Sequence, residues 1–137
     1  MKLIGEKGFL ELEPSEIGER GTPGEGDILL NVAVKAWSYS AADHSWVMAG
    51  DWDRFLLELK ALDERRQGRA VLGGSSPDDL RLEFYSTDSV GHMAVRGHLG
   101  RHRFDGHFLQ LLQLRFGFSF EPDRLPGVVQ ALRSFRT

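Results

Sequence analysis

The sequence contains no cysteine among its 137 residues. That excludes a disulfide, a thiolate nucleophile and a zinc–thiolate site, and it fits a reducing, cytoplasmic setting. Long apolar runs are also missing. FLLEL and HFLQLLQL are too short and too interrupted to span a bilayer, so no membrane association is expected. The opening MKLIGEKG has neither a long apolar core nor a small-residue cleavage site, and no signal peptide is expected there. There is no excess of basic charge. Seventeen Lys and Arg stand against 20 Asp and Glu, for a net charge of −3. A mildly acidic chain argues against a dedicated nucleic-acid binder. Repeats, low-complexity tracts and a domain linker are absent, which points to one domain over residues 1–137.

One amphipathic helix is clearly written. In Gly50–Gly68, residues Trp52, Phe55, Leu56, Leu59 and Leu62 recur at three- and four-residue spacing, which gathers them into one apolar stripe. Asp51 and Asp53 favour its positive N-terminal end, and Arg65 and Arg66 its C-terminal end. Gly50 or Asp51 is expected to cap the start, and Gly68 to take the left-handed conformation that ends it.

Most of the remainder alternates as strands do. Residues 1–13 read as a strand or hairpin, with Leu10 and Leu12 on one face. Ile28, Leu30, Val32, Val34 and Ala36 share a face, with Asn31 and Lys35 opposite. A turn at Ser38–Ser40 leads to a second strand ending near Met48. After the helix come a short strand at Arg69–Leu72, the turn cluster GGSSPDD, and alternation of Leu80, Leu82 and Phe84 with Arg81, Glu83 and Tyr85. Met93, Val95, Gly97 and Leu99 are expected inward, with His92, Ala94, Arg96 and His98 outward. In the long strand Phe108–Phe120, residues Leu112, Leu114, Phe116, Phe118 and Phe120 line one face. EPDRLPGVVQALRSF reads as a short C-terminal helix, with Asp123 as cap and Pro126 in the first turn. The polar segment Glu13–Asp27 reads as a mobile loop. Its GTPGEG lacks the Lys-Ser/Thr ending and the following helix of a phosphate-cradling loop. The fold expected is α+β, with an antiparallel sheet of about six to eight strands packed against one main helix, plus the C-terminal helix. The expected core comprises Val32, Val34, Phe55, Leu59, Leu82, Phe84, Val95, Leu114, Phe116 and Leu132.

Catalytic residue types do not converge. Asp43-His44-Ser45 has the composition of a hydrolytic triad, but strand alternation points His44 away from its neighbours. His92 and His98 share a face at roughly 20 Å, too far to chelate one ion, from about 3.4 Å per residue. His102 and His107 flank a turn, with Asp105 the nearby carboxylate, an incomplete ligand set. No metal, cofactor or enzymatic activity is expected. Charge is uneven: seven acids against three bases between Met1 and Asp27, and four arginines against one acid, with four histidines, between His92 and Arg115. Arg96, Arg101, Arg103 and Arg115 are candidates for a basic patch, set against a solvated strand face. Trp37, Tyr39 and Trp46 read first as core or cross-strand pairs, and otherwise as interface anchors. The candidate partner-binding residues are therefore Trp37, Tyr39, Arg96, Arg101 and Arg103.

Three stretches carry a family resemblance: HSWVMAGDWDRFLLELKAL, DDLRLEFYSTDSVGHMAVRGHL and LQLRFGFSFEPDRLPGVVQALRSF. In their order and aromatic placement, from about Ile28 to the end, the chain resembles the WapI-like immunity family and related small bacterial proteins. That resemblance implies a non-enzymatic protein that binds and neutralises a cognate secreted toxin. The other class open at this level is a small-ligand-binding or oligomerising domain with a pocket between helix and sheet. Oligomeric state is not written in the sequence.

Overall fold

The computed structural model describes residues 1–137. In chain order the elements are β1 (Lys2–Gly5), β2 (Gly8–Ile17), β3 (Ile28–Ala36), β4 (Tyr39–Val47), α1 (Ala49–Arg65), β5 (Arg69–Gly73), β6 (Leu80–Ser86), β7 (Met93–Phe104), β8 (Leu109–Phe120) and α2 (Leu125–Arg133). Single 3-10 turns at Pro122–Arg124 and Ser134–Arg136 flank α2. The α+β class and the eight antiparallel strands follow the sequence pattern. The strands divide into two four-stranded meanders, β1-β2-β3-β4 and β5-β6-β7-β8, with α1 between them in sequence.

One apolar cluster of 28 buried residues joins both sheets and both helices. The expected helix stripe is its centre: Trp52, Phe55, Leu59 and Leu62 are all buried. Burying one such leucine contributes roughly 1.5–3 kcal/mol. Phe135 stacks on Trp52 at 5.7 Å, and edge or tilted contacts continue through Phe55 and Phe84 to Phe120. Every expected core residue is buried except Leu114, which is partly buried against the cluster. Ala94, expected outward, is buried; in register it lies between Tyr85 and Ser119, whose larger side chains shade it. The sheets meet closely where Phe118 lies on the β1–β2 turn. A Cβ added to Gly5 would sit 2.4 Å from the Phe118 ring, so only glycine fits there.

The helix ends differ from expectation. Its first N–H, at Ala49, donates to the Asp27 carboxylate at 2.8 Å, so the cap arrives from a distant loop and not from Gly50 or Asp51. The left-handed residue at its C-terminus is Arg66 (φ 58), whose N–H donates to the Leu62 carbonyl; Gly68 (φ 106) then turns the chain into β5. Asp63 holds Arg66 in place, its carbonyl accepting from Arg66 Nε at 2.8 Å. Asp123 lies inside a 3-10 turn and caps nothing, while Pro126 does sit in the first turn of α2.

Of the Glu13–Asp27 segment, Glu13–Ile17 belongs to β2, which absorbs Pro14 at a register shift before Glu16. The remaining loop, 18–27, is tied at its mouth: Gly18 N–H donates to the Asp27 carbonyl at 2.8 Å, and Gly26 N–H to the Gly18 carbonyl at 3.2 Å. The same Asp27 then caps α1, which couples the loop to the helix.

Candidate functional site

Strands β3 and β4 pair up to Ala36 and Tyr39, leaving only Trp37 and Ser38 to turn the chain. Trp37 therefore sits at the apex, with φ 57, a costly conformation for a bulky residue at about 1–3 kcal/mol. Its N–H donates to the Lys7 carbonyl at 2.8 Å, and the Lys7 ammonium lies 5.6 Å from its ring. Trp37 and Tyr39 are each 68% exposed and Trp46 39%. The core reading of these aromatics is thus wrong: the two-residue turn carries the first two beyond the reach of the opposing sheet, and Trp46 points to the outer face.

Alternation along β4 turns Asp43 and buried Ser45 inward and His44 outward, so these three residue types do not converge. Asp43 instead meets β7. Arg101 and Arg103 approach its carboxylate at 3.3 and 3.6 Å, and Arg101 also donates to the His44 carbonyl. Burial pushes the Asp43 carboxyl up, but the His44 N–H and then the two guanidinium groups outweigh it and hold the pKa below the ordinary value.

Arg96 points the other way. Odd-numbered Arg101 and Arg103 lie on the inner face of β7, whereas Arg96 lies on the outer face, so the three do not form one patch. Arg96 Nε donates to Glu83 Oε2 at 2.7 Å, and its guanidinium stacks 4.3 Å from the Tyr85 ring. The hydrogen bond and charge of Glu83 raise the Arg96 pKa further. Glu83 is only 3% exposed although it stands on an outer strand face. Three arginine side chains roof it: Arg69 and Arg81 approach its other oxygen at 3.6 and 3.8 Å. Arg115 stands nearby with no ion pair. An open cleft of about 540 Å³ lies among Arg69, Arg81, Arg96, His98 and Arg115. Arg69 and Arg81 were not singled out in the sequence. Arg81 shares the outward parity of Glu83, but only the β5–β6–β7 register brings all three arginines to one carboxylate.

The histidines are dispersed. His92 pairs with Asp88, whose hydrogen bond raises the His92 pKa and in return lowers that of Asp88. His98 Nε2 meets the Pro77 carbonyl at 2.8 Å, and His102 lies 3.8 Å from Asp78. The His107 N–H donates to Asp105, closing the β7–β8 turn. No group of three or more His, Asp or Glu side chains is arranged around a possible ion.

The β7–β8 hairpin also outruns the core. Leu112, expected on the buried face with Leu114, is exposed, as are Phe104, Phe108, Leu109 and Leu111. On the outer side, Phe104 pairs with Leu109 and His102 with Leu111; on the inner side, Arg101 pairs with Leu112. No helix is long and apolar enough to cross a membrane.

No curated protein and no solved structure matches this chain. The model of the immunity protein WapI-like family matches residues 2–135, nearly the whole length, including β1 and β2, which the sequence resemblance had not covered. Two antiparallel meanders, one main helix and a C-terminal helix are thus the architecture of a chain that belongs to the WapI-like immunity protein family.

Proposed function

We propose that this protein neutralises a cognate toxin by binding it and performs no catalysis. Family membership over residues 2–135 is the observation that carries the reading. The surface supports it. Trp37 and Tyr39 present two large aromatic side chains to solvent on a hairpin whose backbone is held in a costly conformation. Exposed tryptophan and tyrosine are the residue types that anchor protein complexes. Arg101 and Arg103, on the inner face of β7 against Asp43 of the hairpin's β4 strand, and Arg96, on the outer face of β7, supply charge that selects and steers an acidic partner. Nothing in the arrangement joins a nucleophile to a base.

The test is co-expression with the product of each gene flanking this one, assayed for toxicity alone, followed by pull-down. Growth should be rescued and a complex recovered. Rescue without any complex, or turnover of toxin or substrate by the purified protein, would refute binding as the mechanism.

A further inference from the structure

The outer face of the second sheet carries two features that folding does not explain. The first is an excess of positive charge. Arg69, Arg81 and Arg96 converge on one carboxylate, Glu83, and Arg115 lines the same cleft without an ion pair, so four guanidinium charges face a single carboxylate on that part of the face. Glu83 is buried beneath them, hydrogen-bonded to Arg96 and ion-paired with Arg69 and Arg81. Its position orders long side chains before any partner arrives, which lowers the entropy lost on binding. The second feature lies further along the same face of the same strands. Phe104, Leu109 and Leu111 project outward there, between 41 and 68% exposed. Apolar groups in such density signal a surface that becomes covered. Between the two regions runs the β5–β6 turn, held down by His98 at the Pro77 carbonyl and by Gln113 at the Asp78 carbonyl. The Asp78 carboxylate on this turn is met by His102 at 3.8 Å.

We propose that this face is where the toxin docks, and that the toxin presents acidic side chains to the arginine quartet beside an apolar pocket receiving Leu109, Leu111 and Phe104. The inference rests on the toxin-binding reading and specifies the surface and the chemistry of the partner. Charge selects the occupant. A second copy packed by a two-fold axis through the arginine cluster would set like charges against one another. Nucleic acid would meet a chain of net charge −3 and a patch without a single lysine, whereas guanidinium forks match discrete carboxylates in pairs of hydrogen bonds.

Two substitutions test it in the full-length protein: Arg115→Glu, at a residue without an ion pair, and Leu111→Ser, at an exposed strand position. Affinity for the toxic flanking-gene product identified by co-expression is measured by calorimetry at low and high salt, with melting curves to verify folding. Each variant is expected to melt like the wild type and to bind about tenfold or more weakly. The Arg115→Glu deficit should shrink as salt rises and the Leu111→Ser deficit should not. Toxin binding by the wild type that neither variant weakens overturns this surface and leaves the immunity reading standing. Failure of the wild type to bind overturns both. Duplex RNA binding, or a wild-type dimer in sedimentation, that either variant abolishes would assign the face to another occupant and also overturn the proposal.

Discussion

The two halves of the β7–β8 hairpin share one strand pairing and differ in which face is apolar and in what covers it. In the lower half, Met93, Val95 and Leu99 face Phe116, Phe118 and Phe120 across one surface, and all six are buried. In the upper half that same inner face carries Arg101, Arg103 and an exposed Leu112, while Phe104, Leu109 and Leu111 lie on the outer face and also stand in water. The strands are continuous and the pairing is regular throughout. What changes is the opposing layer. On the inner face, β1 to β4 and the helix stripe close over the lower half; above, β4 reaches across with the Asp43 carboxylate and the His44 carbonyl, meeting Arg101 and Arg103. Apolar alternation therefore states which way side chains point, and not whether anything covers them. Exposed apolar groups that nothing in the chain covers are the expected mark of a surface that binds a partner.

Stability measurements should separate the halves most sharply. Leu99→Ala is expected to cost about 2–5 kcal/mol in chemical denaturation, as a cavity in a packed core, while Leu111→Ala should stay within about 0.5 kcal/mol. Equal losses would mean that the upper half is packed after all. Glu83→Ala comes next, at about 1–3 kcal/mol, because it strands three arginines around a missing charge. The arginine ends reach water, which keeps the loss below the roughly 3–5 kcal/mol of a fully buried broken pair.

Smaller effects follow from titration. The folded pKa of Asp43 is depressed, so its contribution is fully present above the unfolded value of about 3.9 and is lost as pH falls through the lower folded value. The stability gap between wild type and Asp43→Asn should therefore close below about pH 4; a gap that persists unchanged in acid would mean the Arg101–Arg103 clamp does not act through charge. The smallest effect concerns exposed His92. Its folded pKa is raised by Asp88, so this pair stabilises fully below about pH 6.5 and loses that contribution as pH rises through the folded value. In an NMR titration Asp88→Asn should move the His92 midpoint down towards about 6.5, and an unmoved midpoint would show the pair is not formed.

Much of this fold is legible in the sequence. The α1 stripe and the alternation of β3, β6 and β7 each repeat a single period, and local geometry then fixes their faces. The division into two sheets is not legible, because no local signal says that β4 and β5, separated by a helix, fail to pair. Nor is the Asp27 cap, which depends on a loop that brings the carboxylate back to an N–H donor 22 residues downstream. For the candidate surfaces the limit is the same. Trp37 and Tyr39 are apolar enough for a core, and only the two-residue turn makes them a tip. Glu83 reads as an exposed strand residue until register places Arg69, Arg81 and Arg96 around it.

Stoichiometry tests the central claim, neutralisation by occupancy, most directly. Purified protein is titrated into a fixed amount of the toxin identified by co-expression, at concentrations far above the dissociation constant, and residual toxin activity is followed. Inhibition is predicted to rise linearly and to end sharply at a fixed molar ratio, with the toxin recovered intact from the complex. Complete inhibition at a small fraction of that ratio, growing with incubation time, would mean turnover and would contradict the account.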